Sequence, residues 1–516
     1  MFTGETRRAV RSLILTALLG CCLWMAWNVP YTHDDWDWGL PVGMEWWLTG
    51  ALNNRYMGSF FVISMTRSRL VKTLVMGGSM FLLPLLAALV VLPQDRRRNW
   101  FPLTLTGCAA MMAMPIVTWR QTYGWVSAFA NFVVSGVWVL LLVLLARRNM
   151  EGRGGRLTAA ALFPLALTAQ LFAENLTVLV TAGALGTAVW SLRTGRGRTA
   201  ALSMLAGALL GLFLMFYNPM YQELATTGQT LGGVRELVFE LSDGAAHILS
   251  AVFSRYFRLV LPSLFEFYPA VWALVCVGAL SRLRRYLAAS RQIAWMLVIP
   301  GCLFCGVYLW SAWLGAEAQR DSIDWLCPWP AFRTWGAVAV VVLIAACLWP
   351  GGARRTAWLR LSLLAGALLL AAPFAVVYGH GPRCYFSTAL LLLLVGLSLA
   401  EELPWYPLRT GGAALLLGAV LVFHIRVYQV VGGCDALRLR LIREAVAENR
   451  TSLLLPTEDL RWFYTWGHNP QSTERAESFR QYYGLPEETA LIFLPPGSYE
   501  LWPEISQEMI DHAAIY

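Results

Sequence analysis

Residues 71–92, VKTLVMGGSMFLLPLLAALVVL, decide the fold class of this chain. Apolar runs of about 18 residues or more recur along the sequence, and each is long enough to cross a hydrocarbon core about 30 Å thick. Of the 516 residues, 57% are hydrophobic and 14% are charged, whereas a soluble domain carries roughly 25% charged residues. We therefore predict an all-α polytopic membrane protein, because helices satisfy their backbone groups within lipid.

The basic residues predict how the spans are oriented. Arginines precede the first apolar run, residues 10–27, and Asp95-Arg-Arg-Arg98 follows residues 71–92. Cytoplasmic loops are enriched in arginine and lysine, so the N-terminus is predicted to be cytoplasmic. Following the remaining runs gives about 13 transmembrane helices and an extracytoplasmic C-terminus. Arg67, Arg69 and Lys72 go against this charge rule.

Two regions are predicted. Residues 1–431 form the transmembrane domain, with extracytoplasmic loops at 28–70 and 218–258. Residues 432–516, named here the C-terminal region, are predicted to form a small extracytoplasmic α/β appendage. Its residues 435–449 have the pattern of an amphipathic helix, and Leu491-Ile-Phe-Leu494 has that of a short buried strand.

Composition argues against several classes of function. The formal net charge of +9 does not predict a nucleic-acid partner, because the arginines are spread over short loops between spans. We find no Walker sequence, no nucleotide-sugar domain and no internal repeat, so coupling to ATP is not expected. Seven of the ten cysteines fall in apolar runs. Cys327, Cys384 and Cys434 fall in predicted outer loops, so the sequence allows one disulfide whose pairing is open.

The densest group of polar side chains is Tyr31-Thr-His-Asp-Asp-Trp-Asp-Trp38, named here the acidic knot. Asp34 and Asp35 are adjacent and cannot face the same direction, whereas Asp34 and Asp37 can share a helical face. A carboxylate pressed against tryptophans is partly desolvated, which raises its pKa and makes it a better acceptor of a hydroxyl proton. We predict that Asp34 and Asp35 are catalytic and favour Asp34 as the base. Capping of the following helix is the alternative.

Other polar residues collect at the predicted outer ends of the spans. Arginine suits a phosphate because it binds two oxygens at once, and Arg383 is the strongest candidate because it lies in a short glycine-framed turn. Glu174 with Asn175 could position a sugar hydroxyl or cap a helix, and Trp125 could stack on a sugar or belong to the interfacial belt. The predicted substrate-binding residues are Arg55, Arg120, Trp125, Glu174, Asn175, Arg320, His380 and Arg383. No metal ligands are assigned.

Six short motifs, taken in order, resemble an uncharacterised bacterial family related to GtrII-type glucosyltransferases. They are His33-Asp-Asp-Trp36, Asn54-Arg-Tyr-Met-Gly58, Trp125-Val-Ser-Ala-Phe-Ala-Asn131, Phe172-Ala-Glu-Asn175, Phe216-Tyr-Asn-Pro219 and Gln481-Tyr-Tyr-Gly484. More broadly, the chain resembles the GT-C class of polytopic glycosyltransferases, in which an aspartate-containing pair follows the first span as Asp34-Asp35 does here.

This resemblance implies an inverting glycosyltransferase in the inner (plasma) membrane of a bacterium. Its donor would be a polyprenyl-phosphate-linked sugar, and its acceptor an O-antigen, another envelope polysaccharide or a lipid-linked glycan at the extracytoplasmic face. Asp34 or Asp35 would accept the proton of the acceptor hydroxyl, and arginines would stabilise the departing lipid phosphate. No cofactor is assigned, and a role for a divalent metal is left open.

Three other functions compete with this one. A lipid-linked sugar transporter or flippase would also need arginines, but it predicts charges within the spans and often repeated halves. A polysaccharide polymerase or ligase would differ in using a lipid-pyrophosphate glycan as donor, and a non-enzymatic envelope scaffold is the third. Because the charges concentrate at the predicted outer ends and no repeat is found, the sequence favours the transferase.

Overall fold

The computed structural model describes residues 4–93, 99–230, 236–240, 242–288, 290–317, 330–349, 354–379, 381–403, 406–502 and 504–516. Arg320, Cys327 and His380 lie outside these residues. The described chain is mainly helical. Its helices are Gly4–Trp27, Asp35–Gly39, Pro41–Thr49, Tyr56–Thr66, Arg69–Val91, Trp100–Met112, Ile116–Thr122, Val126–Met150, Arg156–Gln170, Glu174–Thr194, Arg198–Phe216, Pro219–Thr227, Ala245–Phe267, Pro269–Tyr286, Arg291–Glu317, Pro330–Leu348, Arg354–Ala371, Phe386–Ala400, Tyr406–Glu448, Thr473–Tyr483 and Gln507–Asp511.

Within the described residues, 11 helices are long and apolar enough to cross a membrane, or up to 12 if one bent pair is a single span. A multi-pass helical membrane protein is therefore confirmed. The predicted number of spans, about 13, is not confirmed. One apolar run that the sequence counts as a span forms a helix of only 15 residues, Arg156–Gln170. The predicted eighth span, residues 259–280, is divided at Tyr268 between Ala245–Phe267 and Pro269–Tyr286.

The bent pair is the predicted third span, residues 100–119. Its two helices, Trp100–Met112 and Ile116–Thr122, meet at 103°, because Pro115 has no N–H with which to continue the helix. A break exposes backbone groups that must find partners within lipid or protein. The Met112 carbonyl oxygen lies 2.9 Å from His424 Nε2, and the Ile116 N–H donates to Glu317 at 3.1 Å. These side chains allow the chain to turn towards the acidic knot.

The C-terminal region contains a three-stranded sheet in the order β1 (Ser452–Thr457), β2 (Ala490–Pro496) and β3 (Ala514–Ile515). Strands β1 and β2 are parallel, with helix Thr473–Tyr483 in the connection, and β3 is antiparallel to β2. The predicted strand is confirmed, since Leu491 and Phe493 of β2 are buried in the core of this region.

One helix joins the bundle to the C-terminal region. Tyr406–Glu448 is 43 residues long and runs without a break through residue 431, where the sequence placed the boundary. Val427 and Val431 pack in the core of the bundle, and Ile442 packs in the core of the C-terminal region. The predicted amphipathic helix of residues 435–449 is therefore the continuation of the last span.

The three cations that go against the charge rule hold the segment after the first helix. Arg67, Arg69 and Lys72 all donate to backbone carbonyl oxygens of that segment. The acceptors are Gly39 and Leu40 for Arg67, Trp27 for Arg69 and Val29 for Lys72. The Lys72 bond is buried, where a carbonyl oxygen needs a donor, and the arginine bonds are exposed. Each of these side chains therefore has a structural use that does not depend on which side of the membrane it lies.

Candidate active site

The acidic knot lies where the bundle meets the C-terminal region, and its side chains point both ways. Trp36 is fully buried in the core of the C-terminal region, with its ring centroid 5.2 Å from that of Phe479. Asp37 is buried and forms an ion pair with Arg475 of helix Thr473–Tyr483. Asp34 instead faces Trp125 of the bundle. The knot therefore fastens the C-terminal region to the bundle as well as presenting carboxylates.

Asp35 is completely buried and its carboxylate is fully engaged. Oδ1 accepts hydrogen bonds from the Ser127 N–H at 2.9 Å and from the Ser127 hydroxyl at 2.6 Å, and Oδ2 accepts one from the Thr32 N–H at 3.0 Å. Burial, and next the negative charge of Asp34, raise the pKa of Asp35 from 3.8 to about 7, while these three donors oppose the rise. These hydrogen bonds attach the knot to Ser127 of the bundle and use both oxygens of Asp35, whose catalytic role stays a prediction.

The raised pKa of Asp35 predicts a pH-dependent stability. A carboxyl whose pKa is higher in the folded than in the unfolded protein binds more protons when folded, so stability falls as pH rises from about 4 to about 7. We expect the unfolding temperature of the purified protein to fall by about 5 °C more across this window than that of Asp35→Asn, which cannot titrate there. Parallel pH profiles of wild type and variant would contradict the assignment.

Asp34 has one engaged oxygen and one that is open. Its Oδ1 accepts a hydrogen bond from the Trp125 indole N–H at 2.8 Å, and its Oδ2 accepts none from the described residues. The side chain is 26% exposed and does not cap the helix that it precedes. Burial would raise the pKa of Asp34, but His33, Arg475 and the Trp125 hydrogen bond outweigh it and lower the pKa. Asp34 is therefore ionised at neutral pH, and the raised pKa expected for a desolvated carboxylate of the knot is found for Asp35 and not for Asp34.

His33 is held beside Asp34 in an uncommon backbone conformation. Its φ is +54°, in the left-handed region that non-glycine residues rarely adopt. Its N–H donates to the Gly467 carbonyl oxygen at 3.2 Å, and its Nδ1 lies 3.7 Å from Asp34 Oδ1. The strained turn therefore directs both His33 and Asp34 towards Trp125, whose ring centroid is 5.2 Å from that of His33.

Trp125 lies between Asp34 of the knot and two arginines, one of which contacts it directly and the other through Trp466. The guanidinium carbon of Arg383 lies 4.9 Å from the Trp125 ring centroid, and Arg383 Nη1 donates to Gln121 Oε1 at 2.8 Å. Trp466 of the C-terminal region stacks on Trp125 with centroids 6.0 Å apart, and Arg120 lies 5.2 Å from the Trp466 centroid. The site thus combines an open carboxylate oxygen with two cations and two aromatic rings.

A second polar group adjoins the turn that carries Arg383. Arg55 forms two hydrogen bonds to Glu174, at 2.7 and 3.3 Å, and Glu174 also accepts one from the Tyr221 hydroxyl. Asn175 donates to the Cys384 carbonyl oxygen at 3.1 Å. This links the start of helix Glu174–Thr194 to the turn. Glu174 is the first residue of that helix, whose N-cap is Ala173.

The structure therefore brings most of the predicted site residues into two adjoining groups. Asp34, Arg120, Trp125 and Arg383 form one group, and Arg55, Glu174 and Asn175 form the other. Arg320 and His380 lie outside the described residues, so their predicted roles remain predictions. Cys384 and Cys434 are free thiols.

Four contributors were not predicted as site residues: His33, Gln121, Trp466 and Arg475. Trp466 and Arg475 come from the C-terminal region, more than 300 residues along the chain from Trp125, and no local pattern ties them to the knot. The aromatic stretch Trp462-Phe-Tyr-Thr-Trp466 was the available signal, because so many rings in a short polar region indicate a contact surface.

The described residues of the site do not offer a grouped set of ligands for a divalent cation. Both oxygens of Asp35 accept hydrogen bonds, and Asp37 is buried and paired with Arg475 through Oδ2. Asp34 is the more exposed carboxylate, with one oxygen bonded to Trp125. Among the residues that the structure describes, no three His, Cys, Asp or Glu side chains lie together as a metal site requires.

Comparison with protein-family models, with curated proteins and with solved structures finds no match.

Proposed function

We propose that this protein is a membrane glycosyltransferase that takes a sugar from a polyprenyl-phosphate donor and transfers it to a cell-envelope glycan at the extracytoplasmic face. The observation that carries the proposal is the position of Asp34, whose Oδ2 is open while its Oδ1 is bonded to a tryptophan that contacts Arg383. A general base needs such a free oxygen, and a departing phosphate needs a cation close by. One indole ring connects the two.

In the proposed reaction, Asp34 Oδ2 accepts the proton of the acceptor hydroxyl as that oxygen attacks the anomeric carbon of the donor. A new carbon–oxygen bond forms on one face of the sugar while the bond to the lipid phosphate breaks on the other, so the configuration inverts. The electron pair of the broken bond leaves with the phosphate, and Arg383 and Arg120 stabilise its charge. Asp34 then releases its proton to solvent.

The two groups of arginines are suited to different roles. Arg383 is held by Gln121 and has no carboxylate partner among the described residues, so its charge is available to an anion. Arg55 is neutralised by Glu174, which makes it a weaker phosphate ligand. We assign the Arg55–Glu174–Tyr221 group to hydrogen bonding of sugar hydroxyls, since it offers donors and acceptors without net charge.

One observation favours a second function, transport of a lipid-linked sugar. Glu266 and Arg333 form a buried ion pair inside two spanning helices, with hydrogen bonds of 2.5 and 2.8 Å. Charged groups within a membrane often mark a transport path. Here, however, both carboxylate oxygens are engaged and Arg333 also donates to the Arg258 carbonyl oxygen at 3.2 Å. The pair is therefore better explained as a link between helices.

Glycan analysis of the producing bacterium separates these functions. We expect deletion of the gene to remove one sugar substituent from an envelope glycan, measured by mass spectrometry, and the gene supplied in trans to restore it. A transporter would instead leave the donor accumulating at the cytoplasmic face, and purified protein would not catalyse transfer from added polyprenyl-phosphate sugar. Unchanged glycans with detectable protein in the parent strain would reject the transferase.

Arg383→Gln tests the phosphate role directly. We expect the variant to bind polyprenyl phosphate, the lipid product of the proposed reaction, about tenfold more weakly, because it loses a charge-assisted contact. Titration of the purified protein followed by native mass spectrometry measures this. Arg440→Gln is the matched control, since Arg440 is an exposed arginine paired with Glu444. Equal affinity of the two variants would remove Arg383 from the site.

A further inference from the structure

A second candidate binding site lies at the end of the bundle opposite the acidic knot. Helix Arg69–Val91 begins beside the knot and is 23 residues long, or about 35 Å. Where it ends, next to the end of helix Val126–Met150, the two helices and the following turn enclose a cavity of about 330 Å³. Among the described residues, its lining consists of Leu89, Leu144, Arg147, Arg148, Glu151 and Arg153.

The lining divides into an apolar part and a cationic part. Leu89 and Leu144 come from the two spanning helices and are partly exposed, so the apolar part of the cavity lies on the side of the spans. The remaining residues carry three positive charges against the one negative charge of Glu151. A molecule that complements both parts has a hydrocarbon portion and an anionic head.

The arginines differ in how much of their charge is already used. Arg147 donates to the Val90 and Leu92 carbonyl oxygens at 2.9 Å and to Glu151, and it thereby satisfies the end of the neighbouring helix. Arg153 also pairs with Glu151. Arg148 uses its Nε to hold the Arg153 carbonyl oxygen at 3.2 Å. Its terminal nitrogens have no carboxylate partner among the described residues.

We propose that this cavity binds an anionic phospholipid, with the phosphate on Arg148 and on Arg153, which shares its carboxylate partner with Arg147. The first part of an acyl chain would lie against Leu89 and Leu144. The site is separate from the knot and does not depend on the proposed glycosyl transfer. A free phosphate would satisfy the arginines but leave the two leucines without a partner, whereas a zwitterionic lipid would fill the apolar part without matching the excess positive charge.

Native mass spectrometry of the full-length protein in detergent tests this proposal. The titrants are phosphatidylglycerol, phosphatidylcholine with the same acyl chains, and inorganic phosphate. We expect wild type to bind phosphatidylglycerol more tightly than phosphatidylcholine. The double variant Arg148→Gln/Arg153→Gln should lose about tenfold or more of the phosphatidylglycerol affinity while its phosphatidylcholine affinity is unchanged. Leu144→Trp, which fills the apolar part, should also weaken phosphatidylglycerol binding.

Arg193→Gln is the matched control. Arg193 is an exposed arginine in the last turn of helix Glu174–Thr194, at the same end of the bundle but outside the cavity. Its variant should bind phosphatidylglycerol as wild type does. Three results would each overturn the proposal: equal phosphatidylglycerol binding by the double variant and wild type, no effect of Leu144→Trp, or inorganic phosphate that competes fully with the lipid, which would indicate a free-anion site.

Discussion

Replacing Asp34 with Asn is expected to lower the rate of glycosyl transfer at least about 100-fold, the usual contribution of a general base. The amide keeps an oxygen in place for the Trp125 N–H, so the fold should not change. The substitution removes the negative Oδ2 that would take the acceptor proton. The measurement is the fraction of envelope glycan that carries the added sugar in a deletion strain expressing each variant at equal protein level.

Two controls make the Asp34→Asn result specific. Asp511→Asn removes the same charge from an exposed position in the C-terminal region and should leave the glycan unchanged. Asp35→Asn should give less folded protein, because the new amide would point a donor at the donors of Ser127 or Thr32, but at equal protein level it should retain most of the transfer. If Asp34→Asn modifies glycan as wild type does, Asp34 is not the base and the proposed mechanism is wrong.

Replacing Gly124 with Ala is expected to separate the C-terminal region from the bundle locally. A Cβ atom at position 124 would overlap the carbonyl oxygen of Tyr464 and lie 2.9 Å from its carbonyl carbon. Both are backbone atoms, which cannot move aside as a side chain would. Overpacking of this kind costs about 1–3 kcal/mol, and the shift would also move Trp466 from Trp125. We expect a lower unfolding temperature and faster proteolysis within residues 458–469.

Gly78→Ala is the matched control for this substitution. Gly78 lies in helix Arg69–Val91, and a Cβ there would meet nothing within 4 Å, so the variant should be as stable as wild type or slightly more so. The same proteolysis rate in Gly124→Ala and Gly78→Ala would mean that the Tyr464 segment does not pack on the bundle as described. This outcome would leave the role of Asp34 untouched, because the prediction concerns packing alone.

The sequence predicted the helical membrane class well because apolar runs report directly on burial in lipid. The sequence did not predict the features that depend on polar contacts between residues distant in the chain. Pro115 lies within a continuous apolar run, and the break after Met112 depends on His424 and Glu317, which are distant in sequence. Likewise Arg67 and Lys72, which go against the charge rule, donate to backbone carbonyl oxygens that are distant in sequence. Hydropathy cannot detect such partnerships.

The candidate site was predicted in part. The chemistry of aspartate and arginine, with the order of the apolar runs, was enough to nominate the Asp34–Asp35 pair, Arg120 and Arg383 as candidates. Sequence could not distinguish Asp34 from Asp35, because the difference lies in their partners: Ser127 and Thr32 engage both oxygens of Asp35, whereas Asp34 keeps one open. Trp466 was not predicted as a site residue, because it reaches Trp125 only when the C-terminal region is folded against the bundle.

The unbroken helix Tyr406–Glu448 constrains any exchange of C-terminal regions between related proteins. Each residue inserted into a helix rotates the chain beyond the insertion by about 100° and advances it by about 1.5 Å. One added residue between Val431 and Ile442 would therefore turn the β-sheet away from the acidic knot, and the Asp37–Arg475 pair would be lost. Chimeras of this protein should be joined in helical phase, because this helix, unlike a flexible linker, sets the direction in which Trp466 faces.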